Sequence, residues 1–96
     1  MPTYLLLLNA TPEGSRKISE VGSRYEGFKK ELKKIGGRLI GAYALLGAHD
    51  YAALVEVPSE KDAVRLSLAI GERGTSQVQS YRAFPMEEFI EIAKQV

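Results

Sequence analysis

The apolar and polar positions in the first part of the chain follow a strand period and then a helix period. An extended apolar run from Thr3 to Asn9 predicts a first strand. Thr11 is a capping residue type and Pro12 suits the first helical position, so we expect one long helix that begins there and ends at Gly36. Its apolar positions recur at spacings of three and four: Ile18, Val21, Tyr25, Phe28, Leu32 and Ile35.

Two further apolar segments predict a hairpin. They run from Arg38 to Leu46 and from Tyr51 to Val57, and both are rich in β-forming residues. The glycine, histidine and aspartate of residues 47–50 separate them and form the expected turn.

The last third of the chain predicts a helix, a strand and a second helix. Ser59, with Asp62 three residues later, resembles a capping box that opens the first of these helices. The apolar stripe of that helix consists of Ala63, Leu66 and Ile70. Residues 76–84 alternate with many polar positions, which is typical of an edge strand. Pro85 then begins a short terminal helix.

The order of these elements predicts an α+β ferredoxin-like sandwich. Two β-α-β units joined by a hairpin place both main helices on one face of a four-stranded antiparallel sheet, and the terminal helix is an addition. A chain of 96 residues can bury one core but is short for two. We therefore expect residues 1–96 to form a single domain.

The predicted strands are apolar on both faces, although helices are expected on only one. The two faces of the first strand are Tyr4, Leu6 and Leu8 against Leu5 and Leu7, and those of the second are Leu39, Tyr43 and Leu45 against Ile40, Ala42 and Leu46. Either arrangement leaves an apolar sheet surface in water, which usually marks an interface. We expect a homodimer, or a larger homo-oligomer, that pairs these open faces as a dimeric α/β barrel. The alternative is that the terminal helix folds over this face within one subunit.

Composition and charge exclude several classes of function. Thirteen Lys+Arg against 12 Asp+Glu give a net charge of +1. The positive potential of so small a charge is too weak to favour nucleic acid as a partner. Without Cys, and with one His, a metal would have only carboxylate ligands, so we predict no metal and no cofactor. No apolar run approaches the roughly 20 residues of a membrane helix. We expect a cytoplasmic protein that does not enter a membrane.

Four short segments together resemble the GYD-domain family of small bacterial and archaeal proteins. They are residues 1–9, Gly36–Leu39, Gly47–Asp50 and Arg82–Pro85. The Gly-Tyr-Asp signature of that family falls at Gly47, His49 and Asp50, with His49 in the place of the tyrosine. The resemblance implies the ferredoxin-like fold and a relation to dimeric α/β barrels. It transfers no activity, because that superfamily includes oxygenases, isomerases, haem proteins and ligand-sensing domains.

The predicted hairpin turn contains the one imidazole of the chain, in His49. An imidazole titrates near neutral pH and suits a general base, and the neighbouring Asp50 is a candidate to orient it. Adjacent residues on a strand point to opposite faces, however, and both residue types also occur in turns without catalytic duty. The pair is therefore a candidate catalytic site with a purely structural alternative.

Five other residues are candidate ligand contacts: Asn9, Tyr43, Tyr51, Tyr81 and Arg82. The tyrosines offer phenol donors to a pocket, and Arg82 offers a guanidinium to a carboxylate. Their structural alternatives are packing within the sheet for the tyrosines, an edge charge against aggregation for Arg82, and a turn contact for Asn9.

Two functions follow from these observations. The first is a homo-oligomeric regulatory or binding module for a small, partly apolar molecule, since few ionisable groups fall inside the predicted core. The second is a cofactor-free isomerase or monooxygenase of the dimeric α/β barrel type with His49 as general base, which requires His49 to face a cavity. We favour the first.

Overall fold

A computed structural model describes residues 1–96 and contains four strands and four α-helices. The strands are β1 (Thr3–Ala10), β2 (Arg38–Ala44), β3 (Tyr51–Glu56) and β4 (Ser76–Ala83). The helices are α1 (Pro12–Arg16), α2 (Val21–Lys34), α3 (Glu60–Glu72) and α4 (Met86–Ala93), with a 3-10 turn at Ile18–Glu20 between α1 and α2. This order confirms the predicted ferredoxin-like α+β fold.

The four strands form one antiparallel sheet in the order β2-β3-β1-β4. The interior strand β1 pairs with β3, where Leu8 faces Tyr51, and with β4, where Thr3 faces Ala83. The polar strand β4 lies at an edge, as its alternating sequence predicts, and β2 forms the other edge.

The core lies between one face of the sheet and the helices α2 and α3. Its largest fully buried side chains are Leu6, Leu32, Val55 and Val57. Helix α3 contributes the predicted stripe of Ala63, Leu66 and Ile70, and all three residues are buried. Each fully buried Leu, Ile or Val side chain stabilises the fold by about 1.5–3 kcal/mol relative to leaving it in water.

The two predicted side-chain caps, at Thr11 and Ser59, are confirmed in atomic detail. Thr11 caps α1, because its Oγ1 accepts the Gly14 N–H at 3.2 Å. Ser59 caps α3, where its Oγ accepts the Asp62 N–H at 3.4 Å and donates to the Asp62 carboxylate at 2.9 Å. Both contacts satisfy backbone donors that have no partner within the helix.

The prediction of one continuous helix from Thr11 to Gly36 is wrong. The helix breaks at Lys17 (φ −109°, ψ 34°) and resumes as α2 after the 3-10 turn. The physical reason is that α1 is anchored elsewhere: the Thr11 N–H donates to the Thr75 carbonyl at 3.0 Å and the Thr11 hydroxyl to the Gly74 carbonyl at 2.6 Å. After the break, Ile18 is 52% exposed, and Leu32 is the one member of the predicted stripe that is fully buried.

The predicted faces of β2 are also wrong in part. A β-bulge between Leu39 and Gly41 reverses the alternation, so Leu39 packs on the core while Tyr43 lies on the opposite face of the sheet. The Tyr43 ring folds back over Gly41, where an added Cβ would lie 3.2 Å from the tyrosine hydroxyl. A bulge changes the face of every later residue in its strand.

Helix α4 does not cover the open face of the sheet, so the one-subunit alternative is wrong. None of its residues is buried, and its apolar residues Phe89, Ile90 and Ile92 are all about half exposed.

No helix in the structure is both long enough and apolar enough to cross a bilayer.

Candidate functional site

The break before α2 leaves a cavity of about 390 Å³ on the helix side of the sheet. Helix α2 lines it with Val21, Tyr25 and Phe28, and the sheet lines it with Leu8, Tyr51 and Ala53. Ile70 and Arg73, at the end of α3, complete the wall. The volume falls within the roughly 300–1,000 Å³ typical of small-molecule sites.

The chemistry of this cavity is apolar with a cationic border. Eleven of its 16 lining residues are hydrophobic, and the two that carry a positive charge are Arg24 and Arg73. No carboxylate lines it, and Thr75 and Ser76 add hydroxyl groups. An apolar wall with a few convergent polar groups is the usual composition of a ligand site.

The two arginines of the cavity have different partners. Arg73 Nη2 lies 3.7 Å from Glu31 Oε1, so its charge has a carboxylate nearby. Arg24 contacts only main-chain oxygens: its Nη1 donates to the Lys17 carbonyl at 2.9 Å and its Nη2 to the Gly14 carbonyl at 3.4 Å. These bonds hold the Arg24 guanidinium beside the helix break.

An exposed ion pair lies on the outer surface of α2. Lys29 Nζ is 3.0 Å from Glu26 Oε1 and 4.7 Å from the centre of the Tyr25 ring. The hydrogen bond to Glu26 is the largest cause that raises the pKa of Lys29; desolvation opposes it, and the negative charge of Glu26 adds a lesser upward effect. Lys29 does not line the cavity.

The hairpin turn forms a second cluster, in which Asn9, His49 and Asp50 meet. Asn9 Oδ1 lies 2.8 Å from His49 Nδ1, and Asn9 Nδ2 donates to the Ala48 carbonyl at 2.8 Å. Asp50 Oδ2 accepts the Ala10 N–H at 2.8 Å. These bonds join the end of β1 to the β2–β3 turn. His49 and Asp50 have separate partners, and neither lines the cavity.

Replacing Asp50 with alanine should lower the free energy of unfolding by about 1–3 kcal/mol, because the Ala10 N–H loses its charged acceptor. Urea unfolding followed by circular dichroism measures this change. The matched variant Asp50→Asn keeps an oxygen acceptor and should lose clearly less. Equal losses in the two variants would show that the hydrogen bond is not what stabilises the turn.

The open face of the sheet is a third feature. Its rows across the strands are Gly41, Leu54, Leu5 and Tyr81, and then Tyr43, Ala52, Leu7 and Gln79. The apolar side chains occupy the centre of this face. At one end Arg38 forms an ion pair with Glu56, with Arg38 Nε 2.8 Å from Glu56 Oε1, and Asn9 with His49 lies at the other end.

The structure does not bring the five predicted ligand contacts together. Tyr51 lines the cavity. Tyr43 also borders it, but its ring lies on the open face, as does Tyr81, whose hydroxyl donates to Gln79 Oε1 at 3.1 Å. Arg82 lies near the end of β4, with its guanidinium carbon 4.2 Å from the centre of the Phe84 ring. Asn9 belongs to the cluster at the hairpin turn.

Sequence reasoning missed Arg24, Phe28 and Arg73 as cavity residues. Phe28 belongs to the apolar stripe that the helical spacing predicts, and Arg24 is one of the charged residues between the positions of that stripe. These residues line a cavity because the helix breaks at Lys17. That break depends on contacts with Gly74 and Thr75, which are distant in sequence, so local spacing does not reveal it. No group of three or more His, Asp or Glu side chains is close enough to hold a metal ion.

Comparisons with known proteins agree with this architecture. A family model described as GYD domain matches residues 4–93. A protein of Thermus thermophilus, named glutamine synthetase and cystathionine beta-lyase binding protein, is 28% identical over 91 residues, which cover 94% of this chain and 96% of that protein.

Among solved structures, the chain resembles the crystal structure of Mycobacterium tuberculosis leucine response regulatory protein (LrpA). The TM-score is 0.54 at 18% identity, and the match covers 88% of this chain and 51% of the LrpA chain. At this identity the likeness shows a common fold, spanning about half of the LrpA chain.

Proposed function

Because this chain belongs to the GYD domain family, we propose that it is a homo-oligomeric binding or regulatory module that takes a small, partly apolar molecule. Two copies pair through their open sheet faces, and the cavity on the helix side of each copy holds the ligand. Residues 1–96 act as one domain, and the assembly works in the cytoplasm.

The observation that carries the proposal is the apolar face of the sheet that no element of the chain covers. Leu5, Leu7 and Leu54 occupy its centre, and Tyr43 and Tyr81 flank them. Tyr43 is 67% exposed and Tyr81 49% exposed. Leu5, Leu7 and Leu54 are partly buried within one subunit. Covering the apolar surface that these five side chains still expose would stabilise an assembly by about 25 cal/mol per Å² removed from water.

The surroundings of this face also favour pairing with a second copy. The Arg38–Glu56 ion pair and the Asn9–His49 contact lie at opposite ends of the apolar centre. A hydrophobic centre with a polar rim is the usual anatomy of a protein interface. A two-fold axis through the face would place the same residues on both sides, as closed homodimers require.

The relative from Thermus thermophilus supports a binding role, because its name describes a protein that binds two enzymes. By analogy, this chain would act by binding rather than by catalysis. The alternative, an isomerase or monooxygenase with His49 as base, has less support. His49 Nδ1 lies 2.8 Å from Asn9 Oδ1 in the turn cluster, and the cavity is lined by other residues.

Native mass spectrometry of the purified protein tests the proposed assembly. We expect the parent protein to appear as a dimer or a multiple of a dimer, and Leu54→Glu to shift it to the monomer, because the variant places two carboxylates in the paired faces. The matched control is Leu68→Glu on the outer side of α3, where Leu68 is 66% exposed, and it should leave the assembly intact.

A second variant separates loss of assembly from loss of folding. Tyr43→Glu alters a side chain that is mostly exposed within one subunit, so the subunit should keep its circular dichroism spectrum while the assembly dissociates. A parent protein that is monomeric at micromolar concentration would refute pairing through the open face.

A further inference from the structure

We infer that the cavity takes a mainly apolar organic anion, whose single charged group contacts Arg24 while its apolar part contacts Tyr25, Phe28 and Tyr51. This inference rests on the proposed function, in which the cavity is a ligand site. It adds the sign of the ligand's charge and the end of the cavity at which that charge lies.

The first reason is the charge of the lining. Arg24 and Arg73 line the cavity, and no Asp or Glu does. Glu31, which lies outside the lining, is 3.7 Å from Arg73 and compensates that charge. Arg24 has no carboxylate within 4 Å and bonds only to neutral main-chain oxygens. A half-buried guanidinium without a counter-charge favours an anion over a neutral or cationic ligand.

The second reason is that the polar groups gather at one end. The Arg24 guanidinium donates to the Gly14 carbonyl at 3.4 Å, and Gly14 is packed directly against the Thr75 carbonyl. Thr75 and its neighbour Ser76 also line the cavity. Through Gly14, Thr75 lies on the same side as the Arg24 guanidinium, so a hydroxyl and a guanidinium can both serve one anionic group there.

The third reason is the apolar remainder of the wall. Tyr25 and Phe28 line the cavity from α2, Tyr51 and Leu8 line it from the sheet, and Ile70 lines it from α3. Aromatic side chains on opposite walls favour a ring or a branched apolar group. A volume of about 390 Å³ has room for such a group together with its charged end.

Three matched probes test the inference: 3-phenylpropionate, 3-phenyl-1-propanol and 3-phenylpropylamine. They share one apolar part and differ in charge. Isothermal titration calorimetry of the full chain should show that the carboxylate binds at least about tenfold more tightly than the alcohol, and that the amine binds most weakly.

The variant Arg24→Gln should weaken binding of the carboxylate about tenfold and leave binding of the alcohol unchanged. The control Arg65→Gln removes a charge of the same kind on the exposed side of α3, where Arg65 is 72% exposed, and should change neither. Equal affinity for the alcohol and the carboxylate would overturn the inference. So would an Arg24→Gln variant that still binds the carboxylate more tightly than the alcohol by the same factor. Either result would leave the proposed small-molecule binding function in place.

One competing occupant has the same chemistry. Helix α4 of a second copy is apolar at Phe89 and Ile90 and acidic at Glu87, Glu88 and Glu91, so it also matches an apolar cavity with an arginine. If no probe binds the parent protein but the carboxylate binds the Phe89→Ala variant, the cavity belongs to that helix and the small-anion inference is wrong. If no probe binds either protein, both the inference and the ligand part of the proposed function fail.

Discussion

Replacing Gly14 with alanine is expected to lower the free energy of unfolding by about 3 kcal/mol, although the change adds a single methyl group to a helix. An alanine Cβ at this position would lie 2.1 Å from the Thr75 carbonyl oxygen. That oxygen already accepts the Thr11 N–H at 3.0 Å, so it cannot move away without breaking the anchor of α1. Glycine is required here because two backbones touch.

Gly71→Ala is the matched control for this substitution. Gly71 also lies in a helix, but an added Cβ there meets nothing within 4 Å. Its replacement should leave stability unchanged or raise it by up to about 1 kcal/mol. Urea unfolding of both variants at one fixed chain concentration measures the difference. If both variants were equally stable, the close approach between Gly14 and Thr75 would not exist in solution.

Gly14→Ala should also weaken binding of the carboxylate probe, because the Gly14 carbonyl accepts a bond from Arg24 and Gly14 packs against Thr75, and both Arg24 and Thr75 line the cavity. Binding at the parent affinity in a folded Gly14→Ala protein would place the charged group elsewhere.

The second large effect is expected at Leu66, which is 2% exposed on the inner side of α3. Leu66→Ala should cost about 2–5 kcal/mol, because it removes buried methyl groups and leaves a cavity that the surrounding side chains fill only in part. The same substitution at Leu68, two residues later and 66% exposed, should cost under about 0.5 kcal/mol apart from helix propensity.

Thermal or urea unfolding at equal protein concentration distinguishes the two leucine variants, since the stability of an oligomer depends on concentration. Similar losses at Leu66 and Leu68 would mean that the outer side of α3 is also buried in the assembly. The proposed pairing through the opposite side of the sheet would then be incomplete as a description of the contacts between copies.

Local signals in the sequence were sufficient for the order of the elements. Thr11 and Ser59 cap their helices through contacts three residues away, and such contacts depend on little beyond the nearby residue types. The spacing of three and four residues between apolar positions likewise predicts the buried stripe of α3, and all three predicted residues are buried. The fold could therefore be predicted from patterns that span one or two helical turns.

The candidate site could be predicted only in part, because it depends on contacts between distant residues. Tyr51 was predicted and lines the cavity. The break at Lys17, which opens the cavity, follows from bonds between Thr11 and the Gly74–Thr75 segment. The bulge in β2, which turns Tyr43 away, adds one residue against a partner strand and has no marker in the spacing of apolar positions.

The position of β1 between β3 and β4 has a consequence for how the newly synthesised chain folds. Of the four strands β1 is made first and β4 last, yet they are neighbours in the sheet. Thr3 pairs with Ala83, so one edge of β1 stays without its partner until β4 has been synthesised. Completion of the sheet therefore requires contact between segments that are distant in sequence, which favours slow folding over fast local folding.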